Sequence, residues 1–104
     1  MIEEKETPET TLQQNQRYRI TLKGKVQGIF MRENIKKRAI ELGLNGWVRN
    51  KGTDEVELVV EGEKIFLDKL YQFCKEGTER AKVLGANVEK EIPTGEFDGF
   101  SIRF

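Results

Sequence analysis

The spacing of apolar residues in this chain switches from every second position to a helical repeat and back, twice. That double switch restricts the possible folds more than any other feature. Tyr18, Ile20 and Leu22 alternate with Arg19, Thr21 and Lys23, the pattern of a strand with one buried face. Ile35, Ala39 and Leu42 then recur at helical spacing, with Lys36, Lys37 and Arg38 largely on the outer side and Gly43 placed to end the helix. Residues 44–50 read as a second strand, with Leu44, Gly46 and Val48 on one face. Val56, Leu58 and Val60 alternate with Glu55, Glu57 and Val59 in a third, and the turn-forming Lys51-Gly52-Thr53-Asp54 joins the two as a hairpin. After Gly62, the residues Phe66, Leu70 and Phe73, beside Leu67, Tyr71 and Cys74, form a broad apolar stripe on a helix over 63–76. A fourth strand is predicted over 82–90 through Leu84, Ala86 and Val88, and Phe100-Ser101-Ile102-Arg103-Phe104 alternates as a short terminal strand.

Strand, helix, strand, strand, helix, strand, with one strand appended, predicts an α+β fold. It is a ferredoxin-like two-layer sandwich (βαββαβ), a mainly antiparallel sheet with two helices on one face. The 104 residues suit one domain. Residues 1–16 are polar, with Pro8, three Thr and three Gln, and are read as a flexible tail ahead of a domain at 17–104. Such a fold hosts many functions and selects none.

Composition removes several kinds of chemistry. There is no histidine, which excludes imidazole nucleophiles, imidazole bases and His-ligated zinc. The one cysteine, Cys74, can form no internal disulfide and belongs to no metal-binding cluster. Its place on the apolar stripe marks it as a small core residue. Hydrophobic residues make up 37%, so the core must be economical and the surface heavily charged. No apolar run approaches the roughly 18 residues needed to span a bilayer, and the acidic start lacks the pattern of a signal peptide. A cytoplasmic protein without a membrane partner is expected, and a monomer is the default for such a surface. The zero net charge conceals a division: residues 17–51 hold ten Lys or Arg against two acids, a local +8, whereas 52–104 carries −5. A basic block of this size suits an anionic ligand, although a merely basic surface would look the same.

The chemistry concentrates where the first strand meets the first helix, in Gly24-Lys25-Val26-Gln27-Gly28-Ile29-Phe30-Met31-Arg32. Glycines let the loop turn sharply and let main-chain N–H groups come close to a ligand. The helix that follows leaves its first N–H groups unpaired and presents the positive end of its dipole. Together they form a cradle for a phosphate, to which Arg32 in the first turn can add a guanidinium fork. The segment is no Walker loop, because its Gly-Lys is not followed by Ser or Thr.

This stretch resembles the first signature of the acylphosphatase family, an apolar residue followed by Gly-x-Val-Gln-Gly-Val-x-(Phe or Met)-Arg. Leu22, Gly24, Val26, Gln27, Gly28, Ile29, Met31 and Arg32 carry it, with Ile29 at the second Val. The second signature, Gly-aromatic-small-basic-Asn, is matched by Gly46-Trp47-Val48-Arg49-Asn50, with Val56 and Gly62 in the expected places beyond. Asp54 stands where the family usually has glycine in the hairpin tip, and Thr78 replaces Pro in the stretch from Gly77 to Val83. The resemblance extends over 18–104. It implies an enzyme that hydrolyses the carboxyl–phosphate bond of a small-molecule acyl phosphate, with inorganic phosphate as product and competitive inhibitor. By the same resemblance, Arg32 and the loop amides of Lys25, Val26, Gln27, Gly28, Ile29, Phe30 and Met31 bind the phosphate, and Asn50 holds the attacking water. A carboxylate leaves readily, and phosphoryl transfer needs positioning and charge stabilisation more than covalent help, so no metal or organic cofactor is called for.

Two other readings compete. The module could bind RNA, as ferredoxin-like sheets do when their central strands expose aromatic residues. The third strand, Glu55-Val56-Glu57-Leu58-Val59-Val60-Glu61, offers acids and no aromatic, so no nucleic-acid partner is expected. Alternatively, the cradle could sense an anion without catalysis. The coexistence of Arg32 and Asn50 favours an enzyme.

Overall fold

The computed structural model describes residues 15–28, 30–77 and 81–104. Strand β1 (Gln16–Lys25) leads into helix α1 (Met31–Glu41), and the hairpin of β2 (Asn45–Lys51) and β3 (Glu55–Gly62) follows. Helix α2 (Lys64–Glu76), β4 (Lys82–Glu91) and the short β5 (Phe100–Arg103) complete the chain. The tail predicted for 1–16 lies outside the described residues except at its end, where Gln16 already belongs to β1.

The five strands form one sheet in the order β4-β1-β3-β2-β5. Neighbouring strands are antiparallel except β5, which runs parallel to β2. Hence the sheet is mixed, and its first four strands make the ferredoxin-like βαββαβ sandwich with β5 added at one border. The order has a consequence for the site. Both β1 and β2 flank β3 and run in the same direction, and Lys23 and Lys51 both pair with Glu55. The loop that follows β1 and the last residues of β2 therefore meet at one end of the sheet.

One face of the sheet carries the core. Tyr18, Ile20 and Leu22 of β1, Val48 of β2 and Val56, Leu58 and Val60 of β3 pack with Ile35 and Ala39 of α1 and Leu67, Leu70 and Cys74 of α2. Both helices thus cover the same face, as alternation and helical spacing require. Burial pushes the Cys74 thiol up to about 12, which leaves it an inert core group. Tyr18 places its hydroxyl at the margin of the core, where it donates to Asp68 Oδ1 at 2.6 Å. Helix α1 ends where expected, with Gly43 at φ 72°.

The opposite face is a lattice of ion pairs. Glu57 is buried and accepts from Arg19 Nη1 at 2.7 Å and Arg49 Nε at 2.8 Å. Glu61, also buried, accepts from Arg17 and from the main-chain N–H groups of Thr94 and Gly95. Trp47 lies buried on this face with the guanidinium groups of Arg49 and Arg103 against its ring. Arg49 thus serves a specific ion pair with Glu57.

The fourth strand departs from plain alternation. Leu84, which alternates in sequence with Ala86 and Val88 as one face of a strand would, is 74% exposed. In the pairing of β1 with β4, Lys23 faces Gly85 but Gly24 faces Val83, so Leu84 is the extra residue of a β-bulge. The bulge shifts the alternation by one position and brings Val83 to the core in its place. Among the described residues, no helix is long and apolar enough to cross a membrane.

Candidate active site

Glycine at position 24 permits the approach of strands that starts the loop. Its φ is 133°, and a Cβ there would stand 2.3 Å from the carbonyl oxygen of Lys82 and 2.9 Å from the nitrogen of Leu84. No side chain fits between the strands at this point. The Gly24 N–H donates to the Asp54 carbonyl at 3.0 Å, so the hairpin tip holds the root of the loop. Gln27 adds a second tie. Its Nε2 donates to the carbonyls of Glu55 at 2.7 Å and Gly52 at 3.2 Å. Val26 and Met31 sink fully into the core, whereas Gly28 and Phe30 between them are exposed.

Helix α1 begins at Met31, after Phe30 in the left-handed conformation at φ 61°, ψ 24°. Among the described residues, no side chain caps this end of the helix. The Phe30 carbonyl accepts both the main-chain and the side-chain N–H of Asn34, at 3.0 and 2.9 Å, which fixes the first turn. The leading N–H groups of the helix are therefore available to a ligand and carry the positive end of the dipole.

A cavity of about 210 Å³ opens here, lined by Val26, Gly28, Phe30, Met31, Arg32, Glu33 and Asn50. Arg32 enters from the second position of α1 and Asn50 from the end of β2, where it pairs with Val56. The Arg32 guanidinium lies 4.8 Å from the ring centroid of Phe104. Among the described residues, the basic partners of ion pairs are Arg17, Arg19, Arg38, Arg49 and Lys64, leaving Arg32 without a carboxylate. Asn50 Oδ1 is buried, yet accepts no hydrogen bond from the described residues. A buried polar atom without a partner is costly and persists where function uses it.

The residues expected at the site do not all play equal parts. Arg32, Asn50, Val26, Gly28, Phe30 and Met31 come together around the cavity. Lys25 does not line it: this residue is the last of β1, in the ladder opposite Lys82. Gln27 also stands outside the lining and braces the loop through its side chain. Ile29 lies outside the described residues. Glu33 lines the cavity and escaped notice because an acid in a first helical turn is ordinarily explained by the helix dipole alone.

The fold and the site define a ferredoxin-like α+β protein in which a helix start, a guanidinium and a carboxamide oxygen without a partner among the described residues share one cavity. Comparison with known proteins narrows the class. The acylphosphatase family profile matches residues 18–102. An acylphosphatase of Rubrobacter xylanophilus is 43% identical over 90 residues, 86% of this chain and 82% of its own length. The structure of an acylphosphatase from Coxiella burnetii is similar with a TM-score of 0.82 at 34% identity, covering 98% of this chain and 100% of that one. That of Bacillus subtilis acylphosphatase gives 0.81 at 30% identity over 86% and 99%. The chain belongs to the acylphosphatase family, hydrolases that cleave the carboxyl–phosphate bond of acyl phosphates.

Proposed function

We propose that this chain hydrolyses small acyl phosphates by capturing the phosphoryl group between Arg32 and the main-chain N–H groups around Gly28–Met31, with Asn50 aiming the attacking water. What supports the reading is the convergence on one cavity of a guanidinium, a helix start and the Oδ1 of Asn50, each without a side-chain partner among the described residues. Left-handed Phe30 followed by helical Met31 is a pairing of backbone states that turns successive N–H groups to one concave side. The Asn50 Oδ1 accepts one water hydrogen and leaves an oxygen lone pair for phosphorus.

In the reaction the water oxygen forms a bond to phosphorus as the bond from phosphorus to the acyl oxygen breaks. The electron pair leaves with the carboxylate, and a phosphoryl oxygen takes up the water's proton, giving carboxylate and inorganic phosphate. Charge on the phosphoryl oxygens is met by Arg32 and the helix end, which act by position and field. No metal is needed in this scheme, and inorganic phosphate competes for the same cradle. We assign the catalytic domain to 17–104 and propose a cytoplasmic monomer.

The decisive experiment is release of phosphate from benzoyl phosphate by the purified protein, with and without a chelator. Equal rates are expected, abolished in Arg32→Ala. Loss of hydrolysis on chelation would overturn the metal-free scheme, and a fully active Arg32→Ala would remove the guanidinium from it.

A further inference from the structure

The rim of the cavity carries two side chains that phosphate capture leaves unexplained. Of the lining residues, Val26 and Met31 are buried and Arg32 and Asn50 half-buried, while Gly28, Phe30 and Glu33 are exposed. Phe30 is 71% exposed and stands outside the hydrophobic core. It is also the only non-glycine residue at positive φ among those described. L-residues are disfavoured in that conformation, whereas glycine adopts it freely. Were the backbone shape of the cradle the only requirement, glycine would satisfy it better and expose no apolar surface. A large ring held out at a disfavoured position has a use for the ring.

From this we infer that Phe30 contacts the acyl group of the substrate and, with Glu33, favours flat apolar acyl groups over those bearing a second negative charge. The inference rests on the hydrolytic reading above. In-line displacement puts the leaving carboxylate on the side of phosphorus away from the water at Asn50. The acyl chain then runs out of the cavity across its rim, and Phe30 and Glu33 are the exposed side chains there. The ring gives an aromatic or aliphatic acyl group a surface to cover, while the Glu33 carboxylate repels an acyl group that carries its own anion.

The test is a comparison of kcat/KM for benzoyl phosphate, acetyl phosphate and succinyl phosphate in the natural protein, Phe30→Leu, Phe30→Gly and Glu33→Gln. Ratios between substrates cancel any general loss caused by disturbing the cradle. Both Phe30 variants should lower the benzoyl-to-acetyl ratio about five- to tenfold, mainly through KM, as the loss of an aromatic contact does. Glu33→Gln should raise the succinyl-to-acetyl ratio about threefold at low ionic strength, and added salt should shrink that gain. Unchanged benzoyl-to-acetyl ratios in both Phe30 variants, with hydrolysis intact, would overturn the acyl contact and leave the hydrolytic reading standing. Failure of the natural protein to hydrolyse any of the three would overturn both.

Discussion

Replacing Asn50 by alanine separates what this residue does for the fold from what it does for the reaction. Its Oδ1 is buried without a partner in the described protein, and no side-chain hydrogen bond joins Asn50 to another described residue. Truncation therefore breaks no hydrogen bond to a described residue and releases the water that Oδ1 holds, worth about 0–2 kcal/mol of immobilisation entropy. Little closed void results, because the carboxamide already lines an open cavity of about 210 Å³ that water can fill. Loss of side-chain packing offsets part of the gain, so the variant should be as stable as the natural protein or about 1 kcal/mol more so. Turnover should fall by about 10²–10³, equivalent to about 2.7–4 kcal/mol of transition-state stabilisation, if the amide acts like other preorganised polar groups. Equilibrium urea unfolding followed by the fluorescence of Trp47 gives the first quantity, and benzoyl phosphate hydrolysis at saturation gives the second. A midpoint lowered by the equivalent of about 2 kcal/mol would make Asn50 a structural residue. Retained turnover would refute its role with water.

Arg32→Lys keeps the charge but loses the planar fork, so KM for acetyl phosphate should rise and kcat drop at least tenfold; activity near the natural level would mean that charge alone suffices. Gly24→Ala forces a Cβ against the Lys82 carbonyl at φ 133°, where neither strand can yield without breaking the bulge. Urea unfolding should show a loss of at least ~2 kcal/mol, and a change below ~0.5 kcal/mol would contradict the close approach. Burial would raise the Glu57 carboxyl, but hydrogen bonds from Arg49 and Arg19 outweigh it and hold the group below its ordinary value of 4.5. Its contribution to stability is thus present above that value and lost as pH falls through the folded one. Unfolding midpoints should decline below about pH 4.5, less steeply in Glu57→Gln, and identical slopes would acquit this carboxylate.

Local chemistry made the order of elements readable from residues alone. The alternation of Tyr18, Ile20 and Leu22 needs only one buried sheet face, and the stop at Gly43 needs only a residue that takes positive φ. The cradle was legible for the same reason, since glycines at a strand–helix junction constrain the backbone wherever they occur. What escaped depends on partners remote in sequence. The outward turn of Leu84 follows from the offset between β1 and β4, set more than fifty residues away at Lys23 and Gly24. Alternation within β4 contains no trace of it. The sequence points only to the main-chain N–H of Gln27; the brace that its side chain makes against Gly52 and Glu55 needs the β2–β3 hairpin beside it. Phe30 gave no warning, because aromatic residues seldom occupy left-handed backbone and nothing in its neighbours demands it. The parallel seat of β5 beside β2 likewise comes from chain return rather than from either strand's composition.

The bulge in β4 reaches beyond the cradle it helps to shape. This strand forms one border of the sheet, where unpaired main-chain groups invite a neighbouring molecule to add a strand of its own. A flat border would serve as a template for such growth. Here the extra residue at Leu84 bends and twists the ribbon near one end, while exposed Lys82, Glu89 and Lys90 put charges along the rest. The irregularity that lets two strands close around Gly24 also makes this border a poor template for strand addition, so the root of the loop and the guarding of the edge share a single structural origin.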